Sequence, residues 1–416
     1  MRGLQRRWLV TLLGIALVAV STLAAPASEA RADSIREREY WLGEYGITDA
    51  WQHTRGAGVT IAVIDTGIDG THPDLAGAVI DGTDFSGRGS RSGQRPVSGE
   101  DSSHGTMVAS LLAGRGRGTA GIVGVAPAAS LLSISIGFGD EYNDSDQQIA
   151  DAVLWAVDHG ADVINMSLTR NTPDWPRTWD AAFQYAMDND VVIVAAAGNR
   201  GSGTRAVGAP ATMPGVLTVA GLDRDGEASL DASAQGITIG VAAPSEQLVG
   251  AMPGSGYVSW NGSSGATPIV AGVVALVRAA HPKLDAADVI NRVTATAREA
   301  GARGVDPIYG FGTLDAGRAV SSRVAKVQAN PMGDLIEWIR VHRRADDDPA
   351  PLATVTPAPR ETRSASEPVP TASGILPIAV LRDVGIPLAL LAGFGAASVV
   401  LIAAARRHFG GLRRRE

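Results

Sequence analysis

Short apolar runs punctuate the chain at 59–64, 130–136, 163–166, 191–196 and 216–220. Each is rich in Val, Ile, Leu or Ala and bounded by glycine or polar residues, which predicts buried strands. The intervening and following stretches 146–159, 179–189, 266–280 and 285–297 carry helical patterns. Strands alternating with helices predict an α/β domain whose mostly parallel central sheet is covered on both faces. In such sheets ligands gather beyond the carboxyl ends of the strands. Asp65 and Asn199 each follow a predicted strand, so chemistry is expected there.

The two ends follow a different pattern. Arg2, Arg6 and Arg7 precede an apolar run at 8–20 and small residues. Ala25-Pro26-Ala27 fits a signal-peptidase site and Ala30-Arg31-Ala32 is a second candidate; an uncleaved anchor is the alternative. Residues 384–405 are 22 positions without a charge. As a helix they span roughly 33 Å, enough for a bilayer core. Arg406, Arg407, Arg413, Arg414 and Arg415 follow, so the tail is expected in the cytoplasm and the rest outside. Six prolines between 346 and 374 predict an extended spacer. The expected order is signal peptide 1–27, extension 28–38, enzymatic domain 39–324, helical or irregular stem 325–345, linker 346–374, one C-terminal transmembrane helix 384–405 and basic tail 406–416.

Composition narrows the chemistry. The chain of 416 residues has no cysteine, which excludes disulfides, Cys-ligated zinc and a thiol nucleophile. A net charge of −7 without a basic stripe argues against nucleic acid as a partner. Fifty glycines predict many tight turns.

Three segments carry a candidate mechanism. They are Ala62-Val63-Ile64-Asp65-Thr66-Gly67-Ile68, Ser103-His104-Gly105-Thr106-Met107-Val108-Ala109, and Asn261-Gly262-Ser263-Ser264-Gly265-Ala266-Thr267-Pro268. A serine hydroxyl needs a base to attack at neutral pH, and imidazole supplies one. A carboxylate on the other ring nitrogen fixes the tautomer and stabilises the imidazolium. Each residue has a rival role. Asp65 could cap a turn, His72 of His72-Pro73-Asp74-Leu75 is a second imidazole, and Ser263 adjoins Ser264.

These motifs, in the order Asp, His, Ser, resemble those of the subtilisin-like serine peptidases across about 39–320. Val194-Ala195-Ala196-Ala197-Gly198-Asn199 resembles the segment that carries the family's oxyanion asparagine. The resemblance implies a subtilisin-like three-layer fold and a catalytic set of Asp65, His104, Ser264 and Asn199. Ala266 and Pro268 match the family pattern only if Ser264 is the nucleophile and Ser263 replaces a threonine. The resemblance also assigns substrate binding to Ser167, Leu168 and Gly208, although Thr169 and Arg170 stand where the family has glycines. Many relatives bind calcium at the position of Gly114-Arg115-Gly116-Arg117-Gly118. Two arginines suit a hard cation poorly, so no calcium is expected at that position, and the chemistry calls for no cofactor.

The architecture is similar to that of mycosins, the membrane-anchored subtilases of actinobacterial type VII secretion systems. Mycosins tend to carry cysteines and long catalytic-domain loops, and this chain has neither. The expected partners are exported protein substrates and type VII membrane components. The alternatives are a structural stabiliser of a secretion complex and a general cell-surface protease.

Overall fold

The computed structural model describes residues 35–343 apart from 98, 100–101, 119 and 139–144. The expected signal peptide, linker, transmembrane helix 384–405 and tail lie outside the described residues. Eleven strands are present among those described. They are β1 (Thr60–Asp65), β2 (Val79–Asp84), β3 (Arg115–Arg117), β4 (Ala120–Val123), β5 (Ser130–Ser135) and β6 (Val163–Met166). β7 (Val192–Ala196), β8 (Leu217–Leu222), β9 (Ile239–Pro244), β10 (Leu248–Met252) and β11 (Gly256–Trp260) follow. The helices are α1 (Trp41–Glu44), α2 (Ile47–Ala50), α3 (His104–Ala113), α4 (Ser145–Asp158) and α5 (Arg177–Asp188). After them come α6 (Ser263–Ala280), α7 (Ala286–Ala295), α8 (Ala316–Ser321) and α9 (Leu335–His342).

Seven strands form one sheet in the order β2-β5-β1-β6-β7-β8-β9, and every pairing is parallel. Every residue of β6, β7, β8 and β9 is buried. Strands buried along their whole length are covered on both faces, which is why β6, β7 and β8 read as continuous apolar runs; β9, broken by Gly240 and Pro244, was not predicted. The five predicted strands and four predicted helices all occur within a few residues of their expected positions. β2 was not legible, because only its first two residues, Val79 and Ile80, are large and apolar, and it lies at the sheet edge. β10 and β11 form an antiparallel hairpin, as do β3 and β4.

α6 runs under the sheet, packing on β6 through β9 and on α3. Among the described residues it is the one helix long and apolar enough to cross a membrane, but it is mostly buried inside the domain. Its apolarity follows from its central place in the core. The stem has a helix, α9, held by an aromatic and ionic clamp. Trp338 packs on Trp175 with ring centroids 4.3 Å apart. Arg343 Nε lies 2.6 Å from Asp180 Oδ2, and Trp175 Nε1 donates to Asp180 Oδ1 at 2.7 Å.

Candidate active site

β1, β6 and β7 are neighbours in the sheet, and their carboxyl ends point to one place. Asp65 is the last residue of β1, Ser167 follows β6, and Asn199 lies three residues beyond β7. Two helices begin at the same edge. His104 is the first residue of α3 and Ser264 the second of α6.

The Asp65 side chain is fully buried, and both its carboxylate oxygens lie 2.9 Å from His104 Nδ1. Since a carboxylate only accepts, Nδ1 carries the hydrogen and Nε2 is left with its lone pair. Thr66 secures this pairing. Its N–H donates to Asp65 Oδ1 at 2.7 Å, and its hydroxyl accepts from Gly105 N–H at 3.0 Å. The end of β1 is thereby tied to the start of α3. Gly105 is required there, because a Cβ would lie 2.4 Å from the Gly67 carbonyl oxygen. The His104 ring meets the edge of Trp260, with centroids 5.7 Å apart.

Ser264 and Ser167 exchange hydrogen bonds. Ser264 Oγ donates to the Ser167 carbonyl at 3.0 Å, and Ser167 Oγ donates to the Ser264 carbonyl at 2.9 Å. Asn165 Nδ2 in turn donates to Ser167 Oγ at 3.0 Å. Pro268 explains the second of these bonds. It lies four residues after Ser264 and has no N–H, so it cannot cap the Ser264 carbonyl in the helix. Ser167 takes that place.

Ser263 orients Asn199. Asn199 Oδ1 accepts from Ser263 N–H at 2.8 Å and from Ser263 Oγ at 2.9 Å. The same hydroxyl accepts from Gly198 N–H at 3.1 Å. With Oδ1 held by two donors, the amide is turned so that Nδ2 points away from Ser263. An amide nitrogen beside a helix N-terminus suits a developing negative charge.

The remaining predicted residues are also placed. Leu168, directly after Ser167, is buried. Gly208 packs against Arg170, and Arg170 N–H donates to the Ala209 carbonyl at 2.7 Å. His72 is a buried structural residue. Its Nδ1 accepts from Asp74 N–H at 3.1 Å, its ring abuts Tyr257, and burial holds its pKa below the ordinary histidine value. The orienting hydroxyls of Thr66 and Ser263 and the contact with Trp260 were not assigned from the sequence. Ser263 carried a signal in its match to a family threonine, whereas Trp260 carried none.

The loop where relatives bind calcium is built from arginines. Arg115 donates to the carbonyls of Pro127, Ala129 and Gly77. Arg117 Nε donates to the buried Asp74 carboxylate at 3.1 Å. Asp74 Oδ2 also accepts from Tyr257 Oη and Ile122 N–H, at 2.6 and 2.9 Å. Arg117 already neutralises the Asp74 carboxylate and a second guanidinium flanks the same loop, so the residues present do not fit calcium.

Comparison with known proteins finds relatives of the fold. The model of the subtilase family matches residues 56–312. Fervidolysin of Fervidobacterium pennivorans is 34% identical over 313 residues, covering 66% of this chain but only 43% of its own length. The structure of MycP1 from Mycobacterium smegmatis is 33% identical, with a TM-score of 0.58, over 69% of this chain and 85% of that one. The MycP3 protease from the type VII (ESX-3) secretion system is also 33% identical, with a TM-score of 0.56, over 67% and 86%. These relatives support serine-endopeptidase chemistry. The fold, the order of the motifs and the extent of the match lead to one conclusion: the chain belongs to the subtilase family.

Proposed function

We propose that this chain is a serine endopeptidase that hydrolyses peptide bonds through an acyl-enzyme. The observation that carries the reading is the His104 Nδ1 contact with the buried Asp65 carboxylate at the edge where α6 presents Ser264. His104 Nε2 takes the Ser264 proton as Oγ attacks the substrate carbonyl. Asp65 stabilises the imidazolium. Asn199 Nδ2 and the Ser264 N–H hold the oxyanion. The imidazolium then protonates the leaving amine, the bond to it breaks, and water releases the acyl group by the same route. Ser264→Ala is expected to lower kcat by about a million-fold, a figure measured on subtilisin itself. Retained cleavage of unfolded casein by that variant would overturn the assignment.

The setting of this chemistry is the outer face of the cell membrane, with the anchor at 384–405. The enzyme makes limited cuts in exported proteins within a type VII secretion system. The likeness to MycP1 and to the MycP3 protease supports this, as does the charge pattern around the apolar segment. The test is complementation of a deletion strain. The Ser264→Ala variant is expected to leave exported proteins uncut. A truncation at residue 383 is expected to be shed into the medium while still cleaving peptides. A truncated protein that stays with the membrane fraction would refute the anchor.

A further inference from the structure

We infer that Thr169 fills the pocket for the substrate residue whose carbonyl is attacked, so that the enzyme cuts after small residues such as Ala, Ser and Gly. The inference rests on the proposed peptidase reading. For the attacked carbonyl to face both Ser264 Oγ and Asn199 Nδ2, its residue must lie between the segments that follow β6 and β7. Its side chain then enters the slot between Ser167–Thr169 on one wall and Ala197–Asn199 on the other. Gly208 forms the floor, held beneath Arg170 because its neighbour Ala209 accepts from Arg170 N–H at 2.7 Å and donates to the Thr172 carbonyl at 3.0 Å.

That slot already holds a side chain. A Cβ built on Gly198 would lie 2.6 Å from Thr204 Cγ2 and 3.2 Å from Thr169 Cγ2, so the Thr169 methyl reaches the opposite wall beside that of Thr204. A Cβ built on Gly208 would lie 1.8 Å from the Arg170 carbonyl oxygen and 2.5 Å from Thr169 Oγ1, so the carbonyl and the hydroxyl together close the floor. The hydroxyl is fixed there, because it donates to the Arg170 carbonyl at 3.0 Å. The side chain has little freedom to move aside: χ1 of a β-branched residue is restricted, and here one branch is hydrogen-bonded. Glycine at this position would remove the methyl and the hydroxyl and widen the slot by their volume, with the Thr204 methyl and the Arg170 carbonyl still bounding it. A shallow apolar slot admits a methyl and rejects a ring by steric cost.

The full chain would be incubated with unfolded casein and the new product ends sequenced, in parallel with Thr169→Gly, Thr169→Ala and Thr169→Val. The wild type is expected to cut mainly after Ala, Ser and Gly. Quenched peptides differing only at this residue are expected to give a kcat/KM for Ala at least about 10-fold above that for Phe. Thr169→Gly is expected to raise the Phe-to-Ala ratio by about 10-fold or more, and Thr169→Ala by less. Thr169→Val keeps the shape and should keep the preference. Cleavage after Phe or Leu by the wild type, or an unchanged ratio in both the Gly and Ala variants, would overturn the inference and leave the peptidase reading intact. Absence of any cleavage, together with no Ser264-dependent labelling by a fluorophosphonate, would instead refute the peptidase reading.

Discussion

Replacing Ser263 with alanine isolates the part of the site that aims the Asn199 amide. The Ser263 hydroxyl is fully buried and makes two bonds, donating to Asn199 Oδ1 at 2.9 Å and accepting from Gly198 N–H at 3.1 Å. Alanine keeps the backbone donor to Oδ1 but removes both of these. A neutral hydrogen bond contributes about 0.5–1.5 kcal/mol net, equivalent to about 2- to 13-fold in the population of correctly turned amide. Turnover should fall by that factor with KM unchanged, since the oxyanion forms only in the transition state. Removing the amide altogether, by Asn199→Ala, should cost far more, about 100- to 1000-fold by the subtilisin precedent. The Gly198 N–H left without an acceptor should also lower stability by about 1–3 kcal/mol. Ser263→Thr retains the hydroxyl and should restore both properties. The assay is kcat and KM on one peptide beside thermal unfolding for the three proteins. A normal kcat in Ser263→Ala together with a lowered Tm would refute the orienting role, as would a threonine variant no better than alanine.

Two further predictions concern stability. Burial raises the pKa of Glu39 from the ordinary 4.5 to about 9, against the opposing pull of Arg36 and the Val123 N–H. Folding therefore favours its protonated form. The resulting stability is full below about pH 4.5 and is lost as pH rises through 9. Glu39→Gln should flatten the fall in Tm between pH 5 and 9, and an identical pH profile in both proteins would contradict this. Asp180→Ala breaks the largely buried contact with Arg343 and the bond to Trp175 Nε1, at a cost of about 3 kcal/mol. Limited proteolysis should then open the α9 region before the rest of the domain; an unchanged digestion pattern and Tm would show that the clamp does not hold the helix.

Much of the architecture was legible because fully buried parallel strands announce themselves as continuous apolar runs. β6 and β7 are of this kind, and their carboxyl ends lead to Ser167 and Asn199. The same rule fails at β2, whose sequence Val79–Asp84 is half polar and lies at the edge, and at β9, which is fully buried but whose run Ile239–Pro244 is interrupted by Gly240 and ends in proline. Pro268 served in the sequence only as a register mark for Ser264. Its physical role, leaving the Ser264 carbonyl for Ser167, needs the third dimension because the two serines are 97 positions apart. The same holds for Thr169. Its departure from glycine was visible, but where its methyl and hydroxyl lie depends on Gly198 and Gly208, which come from other loops. Trp260 faces His104 from the end of a hairpin with no pattern that marks it for that place.

The arginines of the β3–β4 hairpin have a consequence for how the fold responds to its surroundings. A bound ion stabilises a protein by mass action, so its contribution depends on the free concentration outside. The guanidinium on Asp74 is part of the chain and is always supplied at one equivalent. Its contribution is set by geometry and not by supply, and no chelator can withdraw it. At this corner a covalently tethered counter-charge faces Asp74, so folding there is a unimolecular event that does not depend on the supply of a divalent ion, while the half-exposed guanidinium stays open to screening by salt.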